Sequence, residues 1–228
     1  MPIHLGPALK TFSHSSLSVF ETCPKQFEHI YILKDVSRED TEATLWGSKV
    51  HKELEDYATV GSPVKQDICA FGAKIIDATR NWTGGTFAEN KFGLTADYKP
   101  TDFYSTDAAL RGVIDYGAIN GNRALLVDYK TGKMKDDFKQ MQIFTVAAFA
   151  MYPQLEKVKA SYVWLKYEQT TDRVFERTDL PSLIAEVEDR VSVVRAHVEA
   201  GNFPMKPSGL CRGWCPVKSC VSYKEPSR

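Results

Sequence analysis

Two acids and a lysine flank one turn. Asp115 precedes the pair Asn120-Gly121, and Asp128-Tyr129-Lys130 follows it. Asn-Gly between apolar runs is the strongest short-range hairpin signal, because both residues tolerate positive φ. A two-residue Asn120-Gly121 loop pairs Ile119 with Asn122. It sets Asp115 opposite Leu126, and Asp128 opposite Val113. Side chains alternate along a strand, so Asp115, Leu126, Asp128 and Lys130 share one face. The two acids are then diagonal neighbours, about 7–8 Å apart at their backbones. The run Ala124-Leu125-Leu126-Val127 just before Asp128 is apolar. Acids on such a strand are costly unless they bind something. A divalent cation would offset their repulsion, and hard Mg²⁺ or Mn²⁺ prefers carboxylate oxygens. A bound ion lowers the pKa of its water and steadies charge on a phosphate. Lys130 would add positive charge beside that phosphate or orient the water. The bland alternative is a surface hairpin whose Asp and Lys merely pair.

These residues need a frame. The first third reads as helical. Ser13 and Ser15 are N-cap candidates before Leu17, Val19 and Phe20. Glu42 to Tyr57 has apolar residues at helical spacing, weakened by Gly47, and Ile68 to Trp82 reads as a helix ended by Gly84-Gly85. Strands follow at Phe87–Leu94, Leu110–Ile119 and Arg123–Lys130. Phe138 to Tyr152 returns to helix, stopped by Pro153. Val158–Tyr167 and Arg173–Arg177 read as a second strand pair, and Leu183–Ala200 as a closing amphipathic helix. Helices, a small mixed sheet, then helices make an α/β (α+β) fold.

Length and charge bound the rest. A chain of 228 residues suits one domain, 1–228, with a Cys-rich tail at 206–228. Net charge is zero, so any nucleic-acid binding must use local patches. The tail is one such patch: Lys206, Arg212, Lys218, Lys224 and Arg228 stand against Glu225. No apolar run approaches the ~20 residues that span a bilayer. Residues Met1 to Thr11 lack a signal-peptide h-region, so a cytoplasmic location and no membrane partner are expected. In a reducing compartment, the clustered Cys211, Cys215 and Cys220 read as metal ligands more readily than as disulfides. Cys69, inside a helix pattern, reads as a core residue.

Gly112-Val113-Ile114-Asp115, followed by Val127-Asp128-Tyr129-Lys130-Thr131-Gly132, resembles the PD-(D/E)xK nuclease superfamily. The likeness is greatest to its branch of RecB-type domains and related phage and CRISPR-associated exonucleases. Trp46-Gly47-Ser48-Lys49-Val50-His51 resembles that branch's G-x-x-x-H element, and Gln140 to Phe144 its Q-x-x-x-Y element, with Phe144 in place of tyrosine. Ser15 to Tyr31 resembles its N-terminal helix. The resemblance implies a metal set of His51, Glu89, Asp115, Asp128 and Tyr129. Asp97 and Asp102 compete with Glu89. It also implies catalytic roles for Asp115, Asp128, Lys130 and Gln140.

The resemblance further implies a DNA exonuclease of recombination, repair or phage DNA processing. No G-x-x-x-x-G-K-[ST] occurs, so a helicase or recombination protein would be a separate partner. Some members hold a [4Fe–4S] cluster on one N-terminal and three C-terminal cysteines. Here Cys23, Cys211, Cys215 and Cys220 could supply it. The spacing C-x3-C-x4-C departs from the commonest C-x2-C-x5-C, so zinc and free thiols stay open. Two rival readings stand beside the nuclease: a non-catalytic nucleic-acid-binding protein, and an interaction protein on a degenerate nuclease fold.

Overall fold

A computed structural model of the chain describes residues 10–37, 40–135 and 137–225. Residues 1–9, within the segment read for a leader, and Arg228 of the basic tail lie outside the described residues. The chain divides into two compact units, Thr41–Ala185 and the pair of segments Met1–Asp40 and Glu186–Arg228.

In the first of these, Thr41 caps the first helix of the unit. Numbered along the whole chain this helix is α3 (Glu42–Val60), after α1 (His14–Thr22) and α2 (Pro24–Phe27). Thr41 and Thr44 exchange side-chain and backbone hydrogen bonds, and Gly61 at φ 73° ends the helix. Gly47 does not break it. A Cβ there would stand 3.4 Å from Thr131 Oγ1, so the glycine lets the chain after Lys130 come close. α4 (Ala70–Thr79) is shorter than the expected 68–82 span because a 3₁₀ turn, Asp67–Cys69, precedes it.

Six strands form one sheet: β1 (Thr86–Leu94), β2 (Pro100–Thr101), β3 (Leu110–Asn120), β4 (Arg123–Lys130), β5 (Lys157–Trp164) and β6 (Gln169–Glu176), in spatial order β2-β1-β3-β4-β5-β6. The β4–β5 pair is parallel and every other pair antiparallel. A parallel pair needs a crossover, and α5 (Lys139–Met151) supplies it. Val50 and Leu54 of α3 and Ile76 of α4 pack with Tyr116, Val127, Tyr129 and Val163 of the sheet into a buried core that includes Cys69. That residue is fully buried, as expected of a core cysteine.

The hairpin register differs from the expected one by two residues. Asn120 pairs with Arg123 and Tyr116 with Val127, so Gly121-Asn122, not Asn120-Gly121, forms the loop. The cause is the backbone demand of the turn. Gly121 takes φ 59°, and a glycine at the first loop position suits a two-residue hairpin. Continued one step, this register sets Asp115 opposite Asp128 rather than opposite Leu126.

In the second unit, Ser13 caps α1 through a reciprocal bond with Ser16. α2 passes into a π-helical stretch, Glu28–Leu33, that has no local sequence signal. The closing helix, α6 (Leu180–Ala200), begins three residues before its expected start and contributes its later residues here. Phe20, Phe27 and Phe203 pack together in this unit. Among the described residues no helix is long and apolar enough to cross a membrane.

Candidate active site

Three strands place three acids side by side. On β1 and β3, Ala88 pairs with Tyr116 and Asn90 with Ile114, which brackets Glu89 opposite Asp115. Asp128 follows on β4. Glu89, Asp115 and Asp128 therefore form a row across adjacent strands. Opposed residues on neighbouring strands are close enough for like charges to repel. Glu89 adopts φ 46°, which is uncommon outside glycine and costs of order 1–3 kcal/mol, as at many functional sites. Asp97 and Asp102, the competing acids, sit instead in the turns between β1 and β3, where Asp102 Oδ1 accepts from Tyr104 N–H at 2.8 Å.

His51 completes the group from α3. Its Nε2 donates to the Tyr129 carbonyl at 3.0 Å, and its Nδ1 stands 3.3 Å from Asp115 Oδ2. Asp115 Oδ2 also accepts from Tyr129 N–H at 2.7 Å. The expected Tyr129 thus takes part through its backbone, while its ring joins the core. A neutral imidazole that gives one N–H to a carbonyl keeps a lone pair on its other nitrogen, which a metal ion would take in place of the proton. That is how metal-bound histidines are usually oriented. His51, Glu89 and Asp115 each offer a ligand atom, and those atoms lie within 4.8 Å of one another. A carboxylate-rich set with one imidazole suits Mg²⁺ or Mn²⁺, so the residues fit a divalent ion.

Asp128 is handled differently. It is only 3% exposed, and its Oδ2 lies 2.6 Å from Lys130 Nζ without making a well-aligned hydrogen bond. Lys130 Nζ donates to Gln140 Oε1 at 2.9 Å. The residues read from the sequence thus fall in two neighbouring groups, His51, Glu89 and Asp115 in one and Asp128, Lys130 and Gln140 in the other. Electrostatics follow from the crowding. Burial and then the Asp115 charge push the Asp128 carboxyl up to about 7, against the pull of Lys130. Burial and Asp115 also raise Glu89. Burial alone would lower His51, but its bond to Asp115 and the charges of Asp115, Asp128 and Glu89 hold it up at about 9. So much negative charge in one place calls for a proton or a cation.

One residue beside the site escaped the sequence reading. Tyr162 of β5 pairs with Asp128 in the parallel register, and Lys130 Nζ stands 5.1 Å from the centre of its ring. Burial and then the Asp128 charge raise the Tyr162 hydroxyl pKa, against the pull of the backbone N–H groups of Met141 and Gln140 at the start of α5. Its hydroxyl thus stands beside the turn that carries Gln140. Only the β4–β5 register reveals this, and no local pattern encodes that register. Thr131, part of the motif after Lys130, lines an open cleft with Thr44, Gly47, Ser48, His51 and Glu89. The residues Gly112 and Phe144, seen as motif letters, pack together. A Cβ on Gly112 would lie 2.8 Å from the Phe92 ring and 3.2 Å from Phe144. The aromatic at 144 thus fills the space above that glycine.

Apart from Cys69, the cysteines lie in the other unit. Cys23 ends α1 and starts α2. With Cys211, Cys215 and Cys220 it lines one small pocket, beside Met205 and Tyr223. Burial and then the neighbouring thiols raise the Cys215 pKa. Among the described residues no three thiols bring their sulfurs within 4.8 Å of one another. Tetrahedral zinc with Zn–S near 2.3 Å needs sulfurs about 3.8 Å apart, so the thiols are not in closed zinc geometry.

A family model described as the PD-(D/E)XK nuclease superfamily matches residues 11–83 and 78–220 of the chain. No curated protein sequence matches it. Among solved structures the chain is similar to SSO0001, with a TM-score of 0.47 and 13% identity over 98% of this chain and 91% of that one. It is also similar to a proposed exonuclease from Eubacterium rectale, with a TM-score of 0.48 and 11% identity over 96% of this chain and 91% of the other.

Proposed function

Because the chain belongs to the PD-(D/E)XK nuclease superfamily, we propose that it is a divalent-metal-dependent deoxyribonuclease, an exonuclease of the RecB-like, phage and CRISPR-associated branch. The observation that carries this is the adjacency of two groups. One is a ligand set of His51, Glu89 and Asp115. The other is the Asp128–Lys130–Gln140 chain on the neighbouring strand and helix. His51, Glu89, Asp115 and Asp128 would hold Mg²⁺ or Mn²⁺, with the Tyr129 carbonyl orienting His51. A bound divalent ion supplies an activated water and screens the charge of the phosphate under attack. Lys130 supports the developing charge on that phosphate, and Gln140 keeps its ammonium aimed. Asp128 stands 2.6 Å from the Lys130 ammonium and would keep that cation beside the ligand set.

The whole chain serves as one nuclease domain acting on DNA in recombination, repair or phage DNA processing in the cytoplasm. A motor, where one is needed, is a separate helicase or recombination protein. The tail 206–228 is pinned by a metal centre on Cys23, Cys211, Cys215 and Cys220. A [4Fe–4S] cluster suits it better than zinc, because the thiols surround a cavity instead of meeting at a point. End-labelled linear and circular DNA, single- and double-stranded, incubated with Mg²⁺ tests the function. Mononucleotides or short products from linear ends alone support the exonuclease. Cutting of circles makes it an endonuclease, and no cutting of any substrate removes the nuclease reading.

A further inference from the structure

Beyond Glu89, β1 leads to a group of aromatic and basic side chains that the active site does not use. Lys91 is two residues along the strand, about 7 Å of backbone away. Its ammonium donates to the Tyr104 hydroxyl at 3.1 Å and stands 5.6 Å from the Phe103 ring centre and 5.3 Å from that of Tyr104. Arg111, on the adjacent β3, places its guanidinium 5.3 Å from the Phe103 ring centre. Phe103 and Tyr104 meet edge to face at 4.9 Å. Tyr104 is nevertheless 72% exposed.

An exposed ring is usually mobile. This one is held. Tyr104 N–H donates to Asp102 Oδ1 at 2.8 Å, and Ser105 N–H to the Asp102 carbonyl at 3.0 Å, so the residue sits in a closed turn. The nearby acid Asp107 is likewise occupied, by the hydroxyls of Thr101 and Ser105. The result is a fixed aromatic face with two cations at its margin. It stands on the two strands that carry Glu89 and Asp115. Aromatic faces bordered by Lys and Arg hold single strands: a base stacks on the ring and a phosphate meets the cation. A paired base cannot offer its face in this way.

We propose that Lys91, Phe103, Tyr104 and Arg111 form an accessory site for an unpaired nucleotide of the DNA strand being cut. An unpaired base stacks on Tyr104. Its phosphate meets Lys91, whose ammonium has further N–H groups to give. The proposal rests on the nuclease reading above. It makes a DNA with a single-stranded end the preferred substrate.

The test measures anisotropy of a labelled oligo-dT and of a labelled blunt duplex in EDTA, where binding proceeds without cutting. Tyr104→Ala should weaken oligo-dT binding roughly tenfold and leave duplex binding nearly unchanged. Tyr104→Phe, which keeps the ring, should bind oligo-dT within about twofold of the native chain. Lys91→Ala should weaken binding and flatten its salt dependence. Oligo-dT binding unchanged in both alanine variants overturns the proposal, as does an equal loss for oligo-dT and duplex. Tyr104-dependent binding by a chain that never cleaves DNA with Mg²⁺ supports this site and sinks the nuclease reading. A native chain that neither binds nor cleaves DNA overturns both.

Discussion

Lys130 Nζ lies 2.6 Å from Asp128 Oδ2, a buried carboxylate oxygen with no well-aligned hydrogen bond of its own. The pair is stable only while both charges are present. Lys130→Met should leave Asp128 buried and uncompensated, costing roughly 2–4 kcal/mol in urea unfolding. Adding Asp128→Asn should recover most of that loss, because both charges are then gone. A strictly additive pair of substitutions would show that the contact contributes nothing. Both single variants should lose cleavage.

Glu89 combines a strained backbone with an unfavourable charge. Its φ of 46° and its place opposite Asp115 both favour a residue such as Asn. Glu89→Asn should therefore raise stability by about 0.5–1 kcal/mol while weakening Mn²⁺ binding in calorimetry. A variant that is less stable and binds Mn²⁺ as before would contradict the role given to Glu89.

Two helix glycines should respond in opposite ways. Gly72→Ala presses a methyl within 2.9 Å of Leu54 and 3.2 Å of Tyr129, in a closed core. It should cost about 1–3 kcal/mol. Gly47→Ala meets only Thr131 Oγ1 at 3.4 Å and gains helix propensity. It should be neutral or stabilising by up to about 1 kcal/mol. Thermal unfolding of the two variants side by side checks the contrast.

How much of this was legible in the sequence follows from range. The elements were readable because their signals are local: Ser13 as a cap, Asn-Gly at the hairpin, Pro153 after α5. Asp115, Asp128 and Lys130 were readable because one hairpin carries all three. Their register was not. Asn120-Gly121 and Gly121-Asn122 are both two-residue loops with positive φ at Gly121, and what separates them is Asn120, which stays paired in the strand without a positive φ. Moving the pairing by two keeps every side chain on its face, so the apolar pattern could not reveal the shift. Tyr162 and the close approach of Gly47 to Thr131 depend on contacts between distant segments. The gathering of Cys23 with the three late cysteines came from resemblance to a family, and the cavity they line is a tertiary feature.

Tyr162→Phe removes the hydroxyl that stands beside the start of α5 and keeps the ring beside Lys130. It should cost about 1 kcal/mol of stability. It should lower the cleavage rate several-fold without changing Mn²⁺ affinity, since no metal ligand is touched. Unchanged cleavage would leave Tyr162 a core residue only.

The cysteine centre predicts a coloured protein. Anaerobic purification should give brown protein with about four iron atoms per chain, and Cys23→Ala should lose the colour. Colourless anaerobic protein without iron or zinc would reject the centre and leave the nuclease assignment in place.

The central claim is that one metal-dependent site, built on Asp115, Asp128 and Lys130, cuts DNA. The most direct measurement is digestion of end-labelled linear DNA by the native chain and by Asp128→Asn, with Mg²⁺ and with EDTA. The account predicts cleavage by the native chain with Mg²⁺ and none in EDTA, recovery when Mg²⁺ is restored, and no cleavage by folded Asp128→Asn under any condition. Cleavage that persists in EDTA, or in folded Asp128→Asn, would contradict it.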